Sequence, residues 1–371
     1  MTLHHPSDLD AWQASIAAAR SPLRNLRNRL RSQPNPEPAR LVLPRSGSLT
    51  APTSAQRESS AADVAVDVDV LIVIDTPTAS QLAALIAPMR FLAPGRVAVL
   101  TTAASSQRLR LDPDAISVTI SDHHELTRAL PRLRCVLSYG HYMHLGAMAD
   151  ASARALGATS FISQHGILTP FAPPLPEGSR LLAWSADDAD YWTHSRPDVE
   201  NHIVGSQLLH EATPELTGDE NRPRPTEGIT YLGQLHGYEL PRRSMVAAAT
   251  RFCLENGATY RPHPSEADLA SRLQHSIWRL RGIQFDLTRQ PIDRLGTSVV
   301  SVFSTGVLEA AAAGIPAWVD HPEPPDWVEE LWQRYRMRRF GSLDPTTITA
   351  PSREPARVIA ELIDEHAGAD R

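Results

Sequence analysis

From Val64 onward, short and nearly continuous apolar runs alternate with stretches of helical pattern, and this rhythm constrains the fold more than any other property of the chain. Val68 to Ile74, Arg96 to Thr101, Ala115 to Ile120, Leu133 to Ser138 and Thr159 to Ser163 read as strands. Ser80 to Phe91, a stretch opening at Asp122, and Met143 to Leu156 read as the helices between them. Strands that are apolar on both faces and separated by helices predict a parallel sheet covered on both sides. Leu181 to Trp184 and Asn201 to Gly205 read as the last strands of this unit. After a polar, proline-rich passage the alternation restarts with strands at Gly228 to Leu232, Ala258 to Arg261, Gly282 to Phe285, Ser298 to Phe303 and Ala317 to Val319. Pro241 to Glu255, Glu266 to Leu280, Trp327 to Tyr335 and Ala356 to His366 read as helices. The expected fold class is α/β: two tandem Rossmann-like, doubly wound domains facing a cleft, with ligands outside the carboxyl ends of the strands.

The expected boundaries follow. Residues 1–62 are a basic helix and a flexible Pro/Ser-rich linker, 63–210 the N-terminal Rossmann-like domain, and 211–227 the interdomain linker. Residues 228–350 are the C-terminal Rossmann-like domain, and 351–371 a C-terminal helix. A chain of 371 residues with 42% hydrophobic content supports two cores. A net charge of -6 argues against a general nucleic-acid binder, so no nucleic-acid partner is expected. Two cysteines, Cys135 and Cys253, make no disulfide framework, and no apolar run spans a bilayer. With no secretory h-region at the N-terminus, the expected compartment is the cytoplasm. Ala11 to Arg31 carries Arg20, Arg24, Arg27, Arg29 and Arg31 without an acid among them. Two readings stand for residues 11–31: a peripheral contact with the inner membrane face or an acidic partner, and a solvated basic arm broken at Pro22.

Three motifs fall at expected strand ends. Gln164-His165-Gly166 follows the strand ending at Ser163 and leaves an imidazole at the sheet rim, where it can act as general base or bind a phosphate or hydroxyl. In Arg261-Pro262-His263-Pro264-Ser265-Glu266, two prolines stiffen the backbone around His263, and Arg261 offers a planar fork suited to phosphate. Ser265 is placed to cap the next helix, with Glu266 in its first turn. The run Val299 to Phe303 stops at Ser304-Thr305-Gly306, and strong helix formers then lead to Gly314 and Pro316. That is strand, tight turn and helix N-terminus, whose exposed N–H groups and dipole seat a phosphate. Glu309, early in this helix, is placed to accept hydrogen bonds from sugar hydroxyls. Each motif also has a plain structural reading, as a turn cap or a capped helix.

Arg-Pro-His-Pro at 261–264 and the run from Ser304 through Glu309 to Gly314 and Pro316 resemble the nucleotide-binding half of GT-B glycosyltransferases. More narrowly they resemble the His-Pro and Ser-Thr motifs of bacterial sialyltransferases and polysialyltransferases and of CDP-glycerol glycerophosphotransferases. Gln-His-Gly at 164–166 is similar to a first-domain motif of capsule and teichoic-acid polymer enzymes, shared loosely with non-hydrolysing UDP-sugar epimerases. The resemblance implies donor phosphate and nucleotide contacts from Arg261, His263, Ser304, Thr305 and Gly306, with Glu309 on the ribose. It implies an acceptor domain at 63–210, with Gln164 on the acceptor side, and a donor domain at 228–350; His141 and His144, after Tyr139-Gly140, are read either as lining the acceptor side or as surface histidines. The acidic motif that supplies the general base in the sialyltransferases is not found, which leaves His165 and Asp75 as base candidates beside His263 as a further catalytic group. With no suitably placed Asp-x-Asp motif (Asp112-Pro113-Asp114 reads as a turn), no metal ligand and no cofactor is expected. The implied activity is transfer of a sugar, or a polyol phosphate, from a nucleotide-activated donor to a cell-surface glycan, polymer or lipid-linked acceptor. A UDP-sugar epimerase and a non-catalytic nucleotide- or glycan-binding protein are the alternatives.

Overall fold

The computed structural model describes residues 2–19, 38–44, 68–109, 115–218, 228–349 and 351–368. They form two Rossmann-like α/β units in tandem. The first unit comprises Thr2–His165, Ala172–Gln207 and Arg353–Arg371, and the second comprises Gly166–Phe171 and Leu208–Ser352. The arginines of the basic arm, the rest of the expected Pro/Ser-rich linker beyond residue 44 and Asp112-Pro113-Asp114 lie outside the described residues. Among the described residues no helix is long and apolar enough to cross a membrane.

The first unit is built on an eight-stranded sheet in the order β4-β1-β3-β2-β5-β6-β7-β8. Its strands are β1 (Ala39–Leu43), β2 (Val70–Ile74), β3 (Val97–Thr102), β4 (Ile116–Ile120), β5 (Cys135–Ser138), β6 (Thr159–Ser163), β7 (Arg180–Ala183) and β8 (Glu200–Ile203). All neighbours are parallel except β1, which pairs antiparallel with both β3 and β4. The reason for the apolar runs is visible at β2, where every residue is buried. Leu71 and Val73 pack on one face with Leu126, Ala129, Leu145 and Met148 from the helices His123–Ala129 and His144–Leu156. Val70, Ile72 and Ile74 pack on the other face with Leu85, Ile359, Ala360 and Ile363. Successive strand side chains point to opposite faces, so a sheet clothed on both sides needs apolar residues at every position.

Two local features differ from the sequence reading. Residues 39–43, expected within a flexible linker, are a strand, because Ala39, Leu41 and Leu43 alternate into the core between the bounding Pro38 and Pro44. The expected helix over Ser80 to Phe91 is a single α-turn, Ala79–Gln81, capped by Thr78 and Gln81, followed by a wide turn (Leu82–Ile86) and a tight one (Ala87–Phe91). Pro88 lacks the N–H that a regular helix needs there.

The helix Pro355–Gly368 belongs to the first unit. Ile359, Ala360 and Ile363 are at most 2% exposed, and the Cys135 thiol donates to the Ile363 carbonyl. Arg96, at the head of β3, grips Asp69 through two N–H groups and reaches Asp364 of this helix with a third. Burial of the helix's apolar face is therefore part of the first core.

The second sheet is fully parallel in the order β10-β9-β11-β12, with β9 at Ile229–Leu232, β10 at Thr259–Arg261, β11 at Ser298–Ser301 and β12 at Ala317–Val319. Tyr231 and Tyr260 are partners in register and stack at 6.2 Å on one face. Phe252 of the helix Arg242–Asn256 and Trp278 of the helix Leu269–Leu280 close over them. Leu232, the next residue along β9, points the other way toward Gly306 of the helix Thr305–Ala312. Ile363→Ala in the first unit should cost about 2–5 kcal/mol, as expected for a truncated buried side chain. Urea denaturation checks this; an unchanged midpoint would show that the terminal helix does not contribute to that core.

Candidate functional site

Because the strand interiors of both units are apolar, polar side chains gather where the parallel strands end. In the second unit the neighbouring strands β10, β9 and β11 all run into polar loops at their carboxyl ends. His263, after β10, stacks on His236, after β9, with ring centroids 3.7 Å apart and planes 16° from parallel. The ring of His263 accepts a hydrogen bond at Nδ1 from the Ser265 N–H, at 3.1 Å. In the neutral imidazole the proton therefore sits on Nε2, which is left as a donor.

After β11, Ser304 is the N-cap of the helix Thr305–Ala312, in extended conformation (φ -93°, ψ 139°), and its Oγ accepts from the Gly306 N–H at 3.1 Å. The Thr305 Oγ1 accepts from the Ile167 N–H at 3.3 Å, so this turn also anchors the segment Gly166–Phe171. The same segment is held by the Leu168 N–H donating to the Tyr335 hydroxyl (2.8 Å) and by Arg334 donating to the Leu168 carbonyl (2.6 Å). Gly306 is required by packing: a Cβ there would lie 2.6 Å from Ile292 and 2.7 Å from Leu232. Glu309 lies one turn below Thr305 on the same side of the helix. Burial, with a smaller contribution from Asp293, pushes its carboxyl up to about 7.

Arg261 is already engaged. Its Nη1 donates to Asp286 at 3.0 Å and its Nη2 to the Gln290 carbonyl. Burial alone would raise the Asp286 carboxyl, but hydrogen bonds from Thr288 and the charge of Arg261 outweigh it and hold it low. The guanidinium braces the loop after β10 in this structure. The expected cap at Ser265 is corrected: Asp268 caps Leu269–Leu280, accepting from the Ser271 N–H at 3.0 Å. Glu266, expected in a first helical turn, is a buried acceptor for the Leu235 N–H (2.9 Å), the Tyr260 hydroxyl (2.9 Å) and His275 Nε2 (3.0 Å). Gln234 Oε1 accepts from Ser301 Oγ (3.0 Å) and the Phe303 N–H (3.1 Å), joining the loop after β9 to the end of β11.

The first-unit candidates also share one edge, after the adjacent strands β2, β5 and β6. The His165 ring lies 5.0 Å from that of Tyr139, its Nδ1 is buried without a hydrogen bond, and burial lowers its pKa to about 4. It is therefore neutral at pH 7. Asp75 does not cap its own following turn. Its Oδ1 accepts from the Leu145 N–H at 3.1 Å, at the N-terminus of the helix His144–Leu156, whose own N-cap residue Met143 supplies no side-chain bond. Burial raises its pKa, with backbone hydrogen bonds from Leu145 and Gly146 acting against that. Gln164 is 1% exposed, with its Oε1 accepting from the Trp184 N–H (2.8 Å) and its carbonyl from the Trp184 indole (2.9 Å). It is spent on tying β6 to β7 rather than turned outward. His141 precedes the helix His144–Leu156, and burial lowers its pKa.

The sequence reading missed His236, Gln234 and Asp286. A signal for the first two was present: Gln234-Leu235-His236-Gly237 follows an apolar strand much as Gln164-His165-Gly166 does. A hollow of about 510 Å³ lined by Trp332, Arg336, Met337 and neighbours holds none of the expected site residues.

No family model matches the chain, and no curated protein matches it in sequence. Among solved structures, the UDP-GlcNAc 2-epimerase of Methanocaldococcus jannaschii, in complex with UDP-GlcNAc and UDP, is 10% identical, covering 80% of this chain and 99% of that one at a TM-score of 0.49. Anabaena HepE in complex with UDP is 11% identical over 81% of this chain and 98% of that one, at 0.40. Arabidopsis thaliana UGT89C1 with quercetin is 13% identical over 80% and 90%, at 0.39. Identity this low leaves the ligand to be argued from this chain's own residues.

Two outcomes test the site. A Cβ at residue 233 would fall 2.3 Å from the Tyr260 hydroxyl and 2.6 Å from Glu266, so Gly233→Ala should destabilise the chain by about 1–3 kcal/mol, read by denaturant unfolding. Glu309, raised in the folded state to about 7, holds a proton there that the unfolded chain has released. Its contribution to stability is complete below the unfolded carboxylate pKa of about 4.3 and is lost as pH rises through 7. Melting curves of Glu309→Gln should therefore fall less between pH 5 and 8 than those of the parent; parallel curves would refute a buried, unpaired carboxyl.

Proposed function

We propose that this chain is a metal-independent GT-B type glycosyltransferase that uses a nucleotide-activated sugar. The observation that carries the reading is the stacked His236–His263 pair, at the ends of β9, which adjoins β11, and of β10 on the far side of β9, together with the capped helix N-terminus at Ser304 that follows β11. The His263 N–H, its imidazole held neutral by burial, the hydroxyls and a helix dipole are donors without a full positive charge. They suit a leaving phosphate whose negative charge grows as the glycosidic C–O bond breaks. We assign His263, with His236 behind it, and the Ser304-Thr305-Gly306 turn to the donor phosphates, and Glu309 to the ribose hydroxyls. Arg261 acts by fixing the loop that carries His263.

In the transfer, an acceptor hydroxyl oxygen bonds to the anomeric carbon, the bond from that carbon to the phosphate oxygen breaks, and the hydroxyl proton goes to a base. We assign the base to the first unit and to His165 ahead of Asp75. His165 is held neutral and its Nδ1 has no partner, whereas Asp75 is occupied at a helix terminus. Gln164 then serves by fixing the loop from which His165 projects, and His141 lies toward the acceptor. The polymer-enzyme resemblance of the motifs favours a cell-surface glycan, polymer or lipid-linked acceptor.

The test is a melting-temperature panel with UMP, UDP, CMP, CDP and GDP, followed by donor turnover. One of these nucleotides should raise the melting temperature, since a ligand selective for the native state stabilises it. His263→Ala should then lower turnover by on the order of 10²-fold, the size of losing one donor to a developing oxyanion. Affinity for that nucleotide should rise as pH passes 7 and Glu309 becomes a full acceptor, a dependence that Glu309→Gln abolishes. If no nucleotide shifts the melting temperature, the reading fails.

A further inference from the structure

The helix Leu269–Leu280 buries one face and leaves an apolar stripe on the other. Ser271, His275 and Trp278 are buried against the second sheet, where Trp278 lies 4.6 Å from the ring of Tyr260. Leu269, Leu273, Ile277 and Leu280 are 72%, 65%, 42% and 90% exposed. At about 100° per residue these four side chains fall within roughly 80° of one another, on the side opposite the buried three. They are four of the nine large apolar side chains left exposed among the described residues, so the stripe is a concentration rather than a scatter.

The charges around the stripe point to its partner. Arg272 and Arg279 flank it on one side and Arg281 on the other, and all three are exposed. No acid occurs within the helix, and Asp268 before it is occupied as the N-cap of Ser271. A second copy of the chain would bring two arginine-edged faces together and repel. A surface of anionic lipid headgroups pairs with the guanidiniums while the Leu and Ile side chains reach the acyl boundary.

We propose that Leu269–Leu280 is a monotopic membrane-docking helix that lays Leu269, Leu273, Ile277 and Leu280 on an anionic bilayer. This surface is independent of the transfer chemistry proposed above and of the basic segment expected at residues 11–31. The full chain should co-sediment with vesicles of phosphatidylcholine and phosphatidylglycerol about tenfold more strongly than with phosphatidylcholine alone. The double variant Leu273→Glu, Ile277→Glu should lose binding to both by at least about tenfold, with no fall in melting temperature because both positions are exposed. The triple variant Arg272→Ala, Arg279→Ala, Arg281→Ala should lose only the preference for the anionic vesicles, which keeps the proposal testable if the acidic variant unfolds. Absence of vesicle binding by the parent chain overturns the proposal. So does full binding by the Leu273→Glu, Ile277→Glu variant, or a dimer in sedimentation that this variant abolishes.

Discussion

The second unit depends on one buried carboxylate. Glu266 has no side-chain exposure, yet it stays ionised because the Leu235 N–H, the Tyr260 hydroxyl and the His275 ring all donate to it. Burial acts to raise its pKa, and the hydrogen bonds from His275, Leu235 and Tyr260 more than offset that, leaving it below its ordinary value. A charge taken out of water costs several kcal/mol unless such partners are in place. Their geometry is accordingly demanding. It fixes the loop after β9 against the end of β10 and the helix Leu269–Leu280, and it leaves no space for a side chain at Gly233. The His236–His263 stack rises from this fixed base, so both imidazoles are positioned before any ligand arrives.

The two units solve the same problem in the same way. A parallel sheet clothed on both faces has no room for polar side chains except where strands end. In the first unit, β2, β5 and β6 deliver Asp75, His141 and His165 to one edge; in the second, β9, β10 and β11 deliver His236, His263 and Ser304. What differs is the use made of the helix N-termini. Asp75 spends its carboxylate on the helix His144–Leu156, whose own N-cap is an apolar Met. The helix Thr305–Ala312 is capped by its neighbouring Ser304 hydroxyl. An acid already occupies the first terminus, whereas among the described residues no carboxylate bonds to the second, which is the one suited to receive an anion.

How much of this was legible in the sequence depends on the range of the interaction. The strand, turn and helix around Ser304 were readable because a β-branched run, a Ser-Thr pair either of which can cap, and a stretch of alanines are local signals. β1 was not, because Pro38 and Pro44 make a five-residue strand look like part of a proline-rich linker, and its partners lie about sixty to eighty residues away. The same holds for Asp75, whose partner Leu145 is seventy residues on, and for Glu266, which looks like an ordinary first-turn acid until the fold brings Leu235 and His275 to it. The Arg261 fork was visible, but Asp286, which holds it, is contributed by a segment with no motif of its own.

The terminal helix has a consequence for how the protein is made. Ile359, Ala360 and Ile363 fill a face of the first sheet, yet they are synthesised after every strand of the second. While the polypeptide emerges from the ribosome, the N-terminal sheet waits with that side uncovered until the distal segment clears the exit tunnel. A chain released after truncation near residue 350 would present this bare apolar surface to chaperones and proteases, even with its C-terminal sheet already complete.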